Sequence, residues 1–242
     1  NEEHVLPDKI ENCMRLKYPA DKITFLFGSD GSDDHTWSLL RGVKDPRFTV
    51  RHHPQRRGKV QVLNDLMSRV TDDIVVFSDA NTMYEPGAIT ELVNSFTDEK
   101  VGCVIGKLDL VAPELDPDAC RNESLYWRYE NAIKQLENRL GIVPTINGGI
   151  FAIRRELYEE LPGQAVTEDQ VLGMRIMVKG YRCLFAAGAL ATETVSNLQG
   201  ELRRRIRISA GNFQSLFLVK GVFRCGARSF AFFSHKVLRW MV

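Results

Sequence analysis

One short stretch constrains the fold of this chain more than any other: an apolar run that ends in an acidic residue. Residues 75–77 are Val-Val-Phe and read as the end of a buried strand, and Ser78-Asp79-Ala80-Asn81 follows directly. In open α/β sheets, ligands bind in the crevice beyond the carboxyl ends of the strands. A carboxylate placed there can hold a metal ion, and a metal ion can hold a diphosphate. Taken alone, however, Asp79 is better explained as a residue that caps a turn.

Strand-like and helix-like segments alternate along the chain, and this order predicts an α/β fold. The apolar spacing predicts strands at 23–27, 48–51, 75–77, 101–110 and 150–153. It predicts helices at 4–17, after Gly58-Lys59, after Glu85-Pro86-Gly87, at 122–140 and at 167–179.

Charge and cysteine content exclude some classes of function. The 242 residues include 32 basic and 31 acidic side chains, so the chain has almost no net charge and does not resemble a general nucleic-acid binder. No stretch of about 20 apolar residues predicts a membrane span. The five scattered cysteines, with no C-x-x-C pair, favour reduced thiols in a cytosolic setting without structural zinc. They are Cys13, Cys103, Cys120, Cys183 and Cys225.

The two ends suggest a fragment of a longer protein. The chain opens on Asn1-Glu2-Glu3 without the hydrophobic strand that such a loop would normally follow, and it closes on Arg239-Trp240-Met241-Val242 without a terminating signal. We therefore expect the first strand of the domain to be missing.

Three glycine-containing segments each allow a functional and a structural interpretation. The acidic loop 28–34 follows a strand and suits a ligand's hydrogen-bonding edge, but Gly, Ser and Asp equally favour a solvated turn. Gly58-Lys59 precedes a helix like a phosphate loop, yet it lacks the other residues of that motif and also fits a basic turn. Gly148-Gly149 permits a close approach to a ligand or simply a bulge.

Four further segments also allow two interpretations each. Thr167-Glu168-Asp169-Gln170 fits a capping box with acidic residues in the first turn of its helix. Four arginines within 203–207 suit either a clamp on phosphates or a solvated or lipid-facing surface. Trp127 in the helix 122–140 is either a core residue or a platform for a sugar. The basic, aromatic segment 213–242 suits a membrane interface or packing against the core.

In this order, the motifs resemble those of the family-2 glycosyltransferases, especially the membrane polysaccharide synthases that include cellulose and hyaluronan synthases. The resemblance covers nearly the whole chain. It rests on Asn1-Glu2-Glu3 (the Asn-Glu loop), Asp30-Gly31-Ser32 with Asp33 or Asp34 (the nucleotide-base loop), Gly58-Lys59 with Leu63-Asn64, Asp79-Ala80-Asn81 (Asp-x-Asp), Thr167-Glu168-Asp169 (Thr-Glu-Asp), and Arg204 to Ile208 with Gly211 (Gln-x-x-Arg-Trp and its glycine).

The resemblance implies a GT-A fold, which is a Rossmann-like α/β domain with a mixed, mostly parallel sheet flanked by helices. Residues 1–212 would form this catalytic domain, and residues 213–242 would form helices at a membrane interface. The implied enzyme is an inverting glycosyltransferase that uses a nucleoside-diphosphate sugar, here UDP-linked, and a saccharide or lipid-linked acceptor at the cytoplasmic face of the cell membrane.

The resemblance also implies roles for individual residues. Asp169 would be the catalytic base, with Glu168 beside it. Asp79 and Asn81 would hold Mg²⁺ or Mn²⁺. The nucleotide sugar would contact Asp30, Lys59, Asp79, Arg204 and Arg207, and the acceptor would contact Trp127, Gly148 and Gly149.

Three residues depart from the family pattern. Asn81 replaces the second Asp of Asp-x-Asp, which removes one charged metal ligand, and Arg204 and Ile208 replace Gln and Trp. The changes at Arg204 and Ile208 put processive synthesis in doubt. Those at Asn81 and Ile208 motivate one alternative, a catalytically impaired module that binds a nucleotide sugar or a partner. A separate alternative is a nucleotidyltransferase built on a similar sheet.

Overall fold

The computed structural model describes residues 1–111, 132–139, 143, 146, 148–194 and 198–238. Its helices are α1 (Leu6–Arg15), α2 (Thr36–Arg41), α3 (Lys59–Met67), α4 (Ala88–Asn94), α5 (132–139), α6 (Glu168–Val178), α7 (Leu198–Leu218) and α8 (Ala227–Phe232). Its strands are β1 (Phe25–Asp30), β2 (Phe48–His53), β3 (Ile74–Phe77), β4 (Thr82–Tyr84), β5 (Val101–Val111), β6 (Phe151–Arg154) and β7 (Arg182–Thr194).

The strands form a parallel pair, β1–β2, and a five-stranded sheet in the order β3-β6-β5-β7-β4. The predicted mixed α/β architecture is confirmed. Parallel pairing is less dominant than expected, because three of the five described pairings (β3–β6, β5–β6 and β4–β7) are antiparallel. Antiparallel neighbours need no crossover helix. Although only a four-residue turn separates β4 from β3 in the chain, the two strands lie at opposite edges of the sheet.

Side chains cover both faces of the five-stranded sheet, as a buried α/β sheet requires. On one face, Cys103 and Ile105 of β5 pack with apolar residues of α3 and α6. On the other face, Val104 and Leu108 pack with α4. The sheet is therefore fixed from both sides, and the ends of its strands provide a rigid edge.

The structure extends or adds elements at three places. β1 continues through Asp30, where a loop was expected, because the strand stays paired with β2 up to Asp30 opposite His53. β4 and β7 were not predicted from the sequence. Of the predicted helix 122–140, the described part is 132–139, and Trp127 lies outside the described residues.

The C-terminal part continues directly from the domain. α7 runs unbroken through the expected boundary at 212/213, so that division of the chain stays a prediction. Gly211 lies inside this helix, and a Cβ there would come within 2.9 Å of Val166 and Thr167. Among the described residues, no helix combines the length and apolar character that crossing a bilayer requires.

Candidate active site

Two buried side chains, Lys9 and Tyr84, hydrogen-bond to the turn that carries Asp79 and to the strands on either side of it. Lys9 Nζ donates to Ser78 Oγ at 2.6 Å and to the carbonyl of Thr82, so it brackets the turn on both sides. The hydroxyl of Tyr84 donates to the carbonyl of Phe77 at 2.8 Å, where β3 ends. Burial lowers the pKa of Lys9 to about 8. The turn is thus positioned by contacts from distant parts of the chain.

Lys59 joins the Asp79 turn to the start of α6. Its Nζ lies 2.6 Å from Asp79 Oδ1 and 2.6 Å from Glu168 Oε1. Burial by itself would lower the pKa of Lys59, but these two carboxylates outweigh it and raise that pKa above its ordinary value. Lys59 is the first residue of α3, and the N-cap residue Gly58 adopts a φ of +92° directly before it. Gly58-Lys59 is exposed, as a basic turn would be, but Lys59 also pairs with two carboxylates.

Asp169 lies beside this charged cluster, in the first turn of α6. Burial raises the pKa of its carboxyl to about 6, and the charge of Glu168 adds to the effect, while Lys59 opposes it. A carboxylate with a raised pKa holds a proton more readily than an ordinary aspartate, which suits a general base.

The glycine pair borders the same carboxylate. A Cβ at Gly148 would lie 3.0 Å from Asp169 Oδ2, and a Cβ at Gly149 would lie 3.1 Å from Thr82 Oγ1. The carbonyl of Gly149 also accepts from the Tyr84 hydroxyl at 3.1 Å. The pair therefore lets the backbone pass closely between Asp169 and the Asp79 turn.

The capping box predicted at Thr167 is absent. Thr167 is the N-cap of α6, but its side chain makes no capping hydrogen bond. Thr167 Oγ1 and Gln170 Nε2 are both buried and have no hydrogen-bond partner. The Thr167 side chain packs against α7, since its Cγ2 lies 2.8 Å from where a Cβ of Gly211 would be.

Asp30 has a different environment. Its Oδ1 accepts the backbone N–H of Arg57 at 2.6 Å, and its Oδ2 accepts that of Gly58 at 2.8 Å. Asp30 thereby holds the turn that precedes Lys59. The segment expected to form the Asn-Glu loop lies close by, since Glu3 Oε2 accepts the backbone N–H of His35 at 2.9 Å.

Asn81 and Arg204 meet at a residue that the sequence analysis did not identify. Glu193 Oε1 accepts from Asn81 Nδ2 at 3.1 Å and pairs with Arg204 Nη2 at 3.1 Å. Arg207 is exposed on the same helix, one turn after Arg204. The structure thus brings the Asp79 turn and the arginine helix together through Glu193.

Two functional candidates were missed, and each left a weak signal. Lys9 shares the helical spacing of the buried residues Leu6 and Cys13, so it is a lysine on an apolar face. Glu193 continues the alternation of the buried Ala189 and Ala191, so it is a carboxylate on the inner face of β7.

The donor set at the Asp79 turn fits a hard divalent cation that a substrate helps to hold. Within the described ranges, no group of three or more His, Cys, Asp or Glu side chains is arranged to bind a metal. Mg²⁺ in such sites takes one or two carboxylates plus phosphate oxygens of the substrate. Asp79 and the amide oxygen of Asn81 supply oxygen donors of this kind.

The arrangement defines a class of protein. A carboxylate with a raised pKa, a cation-suited turn and a lysine converge at the strand ends of a mixed α/β sheet, as in enzymes that act on phosphate-linked donors. Residues 1–162, about two thirds of the chain, match the model of glycosyl transferase family 2. The chain belongs to this family.

Similar proteins agree with this assignment. The chain is 26% identical over 231 residues to the poly-beta-1,6-N-acetyl-D-glucosamine synthase of Staphylococcus aureus, a match that covers 89% of this chain and 53% of the relative. It is 27% identical over 204 residues to the probable glycosyltransferase YdaM of Bacillus subtilis, covering 80% and 48%. The chain spans about half the length of the curated relatives it matches.

Solved structures show the same fold. The mannosyltransferase PcManGT from Pyrobaculum calidifontis, in complex with GDP-Man and Mn²⁺, superposes with a TM-score of 0.77 at 23% identity, covering 96% of this chain and 66% of that one. TarS of S. aureus (residues 1–349), in complex with UDP-GlcNAc, superposes with a TM-score of 0.60 at 13% identity, covering 81% and 56%. The predicted GT-A fold is thereby confirmed.

Proposed function

We propose that this chain is the catalytic domain of an inverting glycosyltransferase. It moves a sugar from a UDP-linked donor to a saccharide or lipid-linked acceptor, in the synthesis of a polysaccharide. One observation carries the proposal: Asp169, with a pKa raised to about 6, lies beside a lysine that binds both Asp79 and Glu168. A proton acceptor and a phosphate-binding turn therefore share one edge of the sheet.

The two halves of this cluster suit the two difficulties of sugar transfer. The acceptor hydroxyl is a weak nucleophile, and Asp169 accepts its proton as the new bond forms at the anomeric carbon. The nucleoside diphosphate leaves with negative charge, and the cationic side chains of Lys59 and Arg204 stabilise that charge. Glu168 orients Lys59 through its 2.6 Å contact. Asp30 holds the turn that brings Lys59 into place.

Asp79 and Asn81 would hold Mg²⁺ or Mn²⁺ together with the donor's diphosphate. When bound, the ion supplies positive charge that stabilises the departing diphosphate. The Mn²⁺ in the PcManGT complex supports a divalent ion here.

The test is a screen of nucleotide sugars that follows the release of nucleoside diphosphate with and without Mn²⁺. We expect Mn²⁺-dependent release of UDP. Asp79→Ala should weaken Mn²⁺-dependent UDP binding at least tenfold, measured by calorimetry. Asp72→Ala is the matched control, because Asp72 is an exposed carboxylate just before β3. If Mn²⁺ increases the UDP affinity of the Asp79 variant as much as that of the wild type, the proposed metal site is wrong.

Two other outcomes of this screen would favour the alternatives. UDP binding without turnover in the full-length protein would indicate an impaired binding module, as the departures at Asn81 and Ile208 motivate. Release of pyrophosphate in place of nucleoside diphosphate would indicate a nucleotidyltransferase.

We also propose that the region from residue 213 onward rests on the cytoplasmic face of the cell membrane. Large aromatic side chains are exposed there, including Phe217 at 84% and Phe230 at 74% of their accessible surface. Basic residues lie between them, namely Lys220, Arg224 and Arg228. Exposed aromatic and basic side chains in one segment suit anionic lipid headgroups.

Co-sedimentation with lipid vesicles tests this placement. We expect binding to vesicles that contain phosphatidylglycerol, and weaker binding to vesicles of phosphatidylcholine alone. The double variant Phe217→Ser/Phe230→Ser should reduce the binding at unchanged melting temperature. Binding of this variant equal to that of wild type would contradict the placement.

A further inference from the structure

The carboxylate of Glu193 lies almost entirely inside the protein, at the side of the Asp79 turn. Its side chain is 5% exposed, and its residue pairs with Thr82 across β4 and β7. Oε1 receives both the amide of Asn81 and the guanidinium of Arg204. Oε2 is buried and has no hydrogen-bond partner. An acidic group kept at this depth calls for a role that an apolar residue could not fill.

The chemistry of the contact fixes which way the Asn81 amide faces. An ionised carboxylate only accepts hydrogen bonds, so the NH₂ group of Asn81 must point toward Glu193. The amide oxygen Oδ1 then points away from Glu193. A divalent cation binds the oxygen of an amide and not its nitrogen. Without Glu193, the amide could turn and present either end.

We infer that Glu193 is a positioning residue that holds the Asn81 amide with its oxygen toward the cation. This inference rests on the proposed function of the Asp79 turn. It assigns Glu193 to the support of a ligand, a task that outer contacts of metal ligands commonly perform. It also explains how an Asn serves at the second position of the motif.

The competing role for Glu193 is purely structural: it would hold α7 through Arg204 and have no effect on the cation. The two roles differ in what happens when the polarity of the Asn81–Glu193 pair is reversed. Asn81→Asp places two carboxylates in contact, which repel each other. Adding Glu193→Gln to that variant restores an amide facing a carboxylate, now with the charged group on the turn.

The experiment is a double-mutant cycle on Mn²⁺ affinity, measured from free Mn²⁺ by electron paramagnetic resonance, with and without UDP. In the native background, we expect Glu193→Gln to weaken Mn²⁺ binding about 10–100-fold, the usual cost of losing a support of a metal ligand. In the Asn81→Asp background, we expect the same change to strengthen it. This reversal of sign is the signature of a positioning role.

An equal effect of Glu193→Gln in both backgrounds would overturn the inference. So would an Arg204→Met variant that reproduces the full loss of Mn²⁺ affinity, since Glu193 would then act only through Arg204. Asp98→Asn is the matched control, because Asp98 pairs with Arg182 at the opposite end of β7. We expect it to leave Mn²⁺ affinity unchanged, and melting temperatures confirm that each variant is folded.

Asp79→Ala distinguishes a failure of the proposed cation site from a failure of the proposed role of Glu193. If this change leaves Mn²⁺ affinity unaltered, the proposed cation site and the role of Glu193 both fall. If it removes Mn²⁺ binding while the cycle shows no reversal, only the role of Glu193 falls.

Discussion

Two aspartates of this chain, Asp30 and Asp169, lie in regions with opposite electrostatic character. Both oxygens of Asp30 accept backbone N–H groups, at 2.6 and 2.8 Å, so its carboxylate is fully engaged in shaping a turn. Asp169 lies between the carboxylate of Glu168 and the passing backbone of Gly148, and its pKa is raised to about 6. One carboxylate organises the backbone, and the other is held ready to accept a proton.

The comparison indicates that Asp30 and Asp169 have different tasks in the site. The oxygens of Asp30 are occupied by backbone N–H groups, so this carboxylate serves the turn. Burial, together with the charge of Glu168, raises the pKa of Asp169 and makes it the better proton acceptor. We therefore expect substitutions at Asp169 to act on the chemical step, and those at Asp30 to act on stability and on the position of Lys59.

The largest effect is expected for Asp169→Asn. Loss of the general base should lower the turnover number about 10²–10⁴-fold. UDP affinity in the presence of Mn²⁺ should change less than threefold, measured by calorimetry. Turnover within a few-fold of wild type would remove Asp169 from the role of base and end the contrast with Asp30.

The pKa of Asp169 makes a related prediction about pH. The native carboxyl, with a pKa of about 6, binds a proton more readily than the carboxyl in the unfolded chain, whose pKa has the ordinary value of 3.8. The stability contributed by this group is thus complete below pH 3.8 and is lost as the pH rises through 6. At pH 7, Asp169→Asn should raise the free energy of unfolding by up to about 3 kcal/mol. Denaturant titrations at pH 4 and pH 7 measure this, and an equal difference at both pH values would contradict the shift.

An intermediate effect is expected for Lys59→Met. The variant leaves Asp79 and Glu168 without their shared cation. It also removes the proposed charge-assisted hydrogen bond from Lys59 to the donor's diphosphate, and bonds of this kind contribute about 1.5–3 kcal/mol. Donor affinity should fall about 10–100-fold, as measured by UDP titration. The exposed Lys44 provides the control, since Lys44→Met should not alter UDP affinity. An unchanged affinity of the Lys59 variant would mean that Lys59 only bridges the two carboxylates.

The smallest effect on catalysis is expected for Asp30→Ala. Two backbone N–H groups lose their acceptor, which should cost about 1–3 kcal/mol of unfolding free energy in denaturant titrations. Turnover at saturating donor should change less than threefold. Asp21→Ala, at an exposed carboxylate, should be neutral in both assays. A turnover loss as large as that of Asp169→Asn would show that the two aspartates do not divide their tasks.

The order of the motifs, and most of the helices and strands that carry them, could be predicted from the sequence. The apolar run before Asp79, the glycine before Lys59 and the acidic start of α6 are local patterns. As predicted, the first ends a strand, and the other two stand at the starts of helices. Such patterns are readable because backbone propensity and burial act over a few neighbouring residues.

Which side chains meet at the site could not be predicted from the sequence and is seen only in the tertiary structure. The contact between Asn81 and Glu193 spans 112 positions, and that between Lys9 and Ser78 spans 69. A lysine on a helix and a glutamate in a strand carry no local mark of such partners. Distant groups pair with the Lys9 ammonium and with Glu193 Oε1, and these contacts exist only once the sheet, α1 and α7 have packed together.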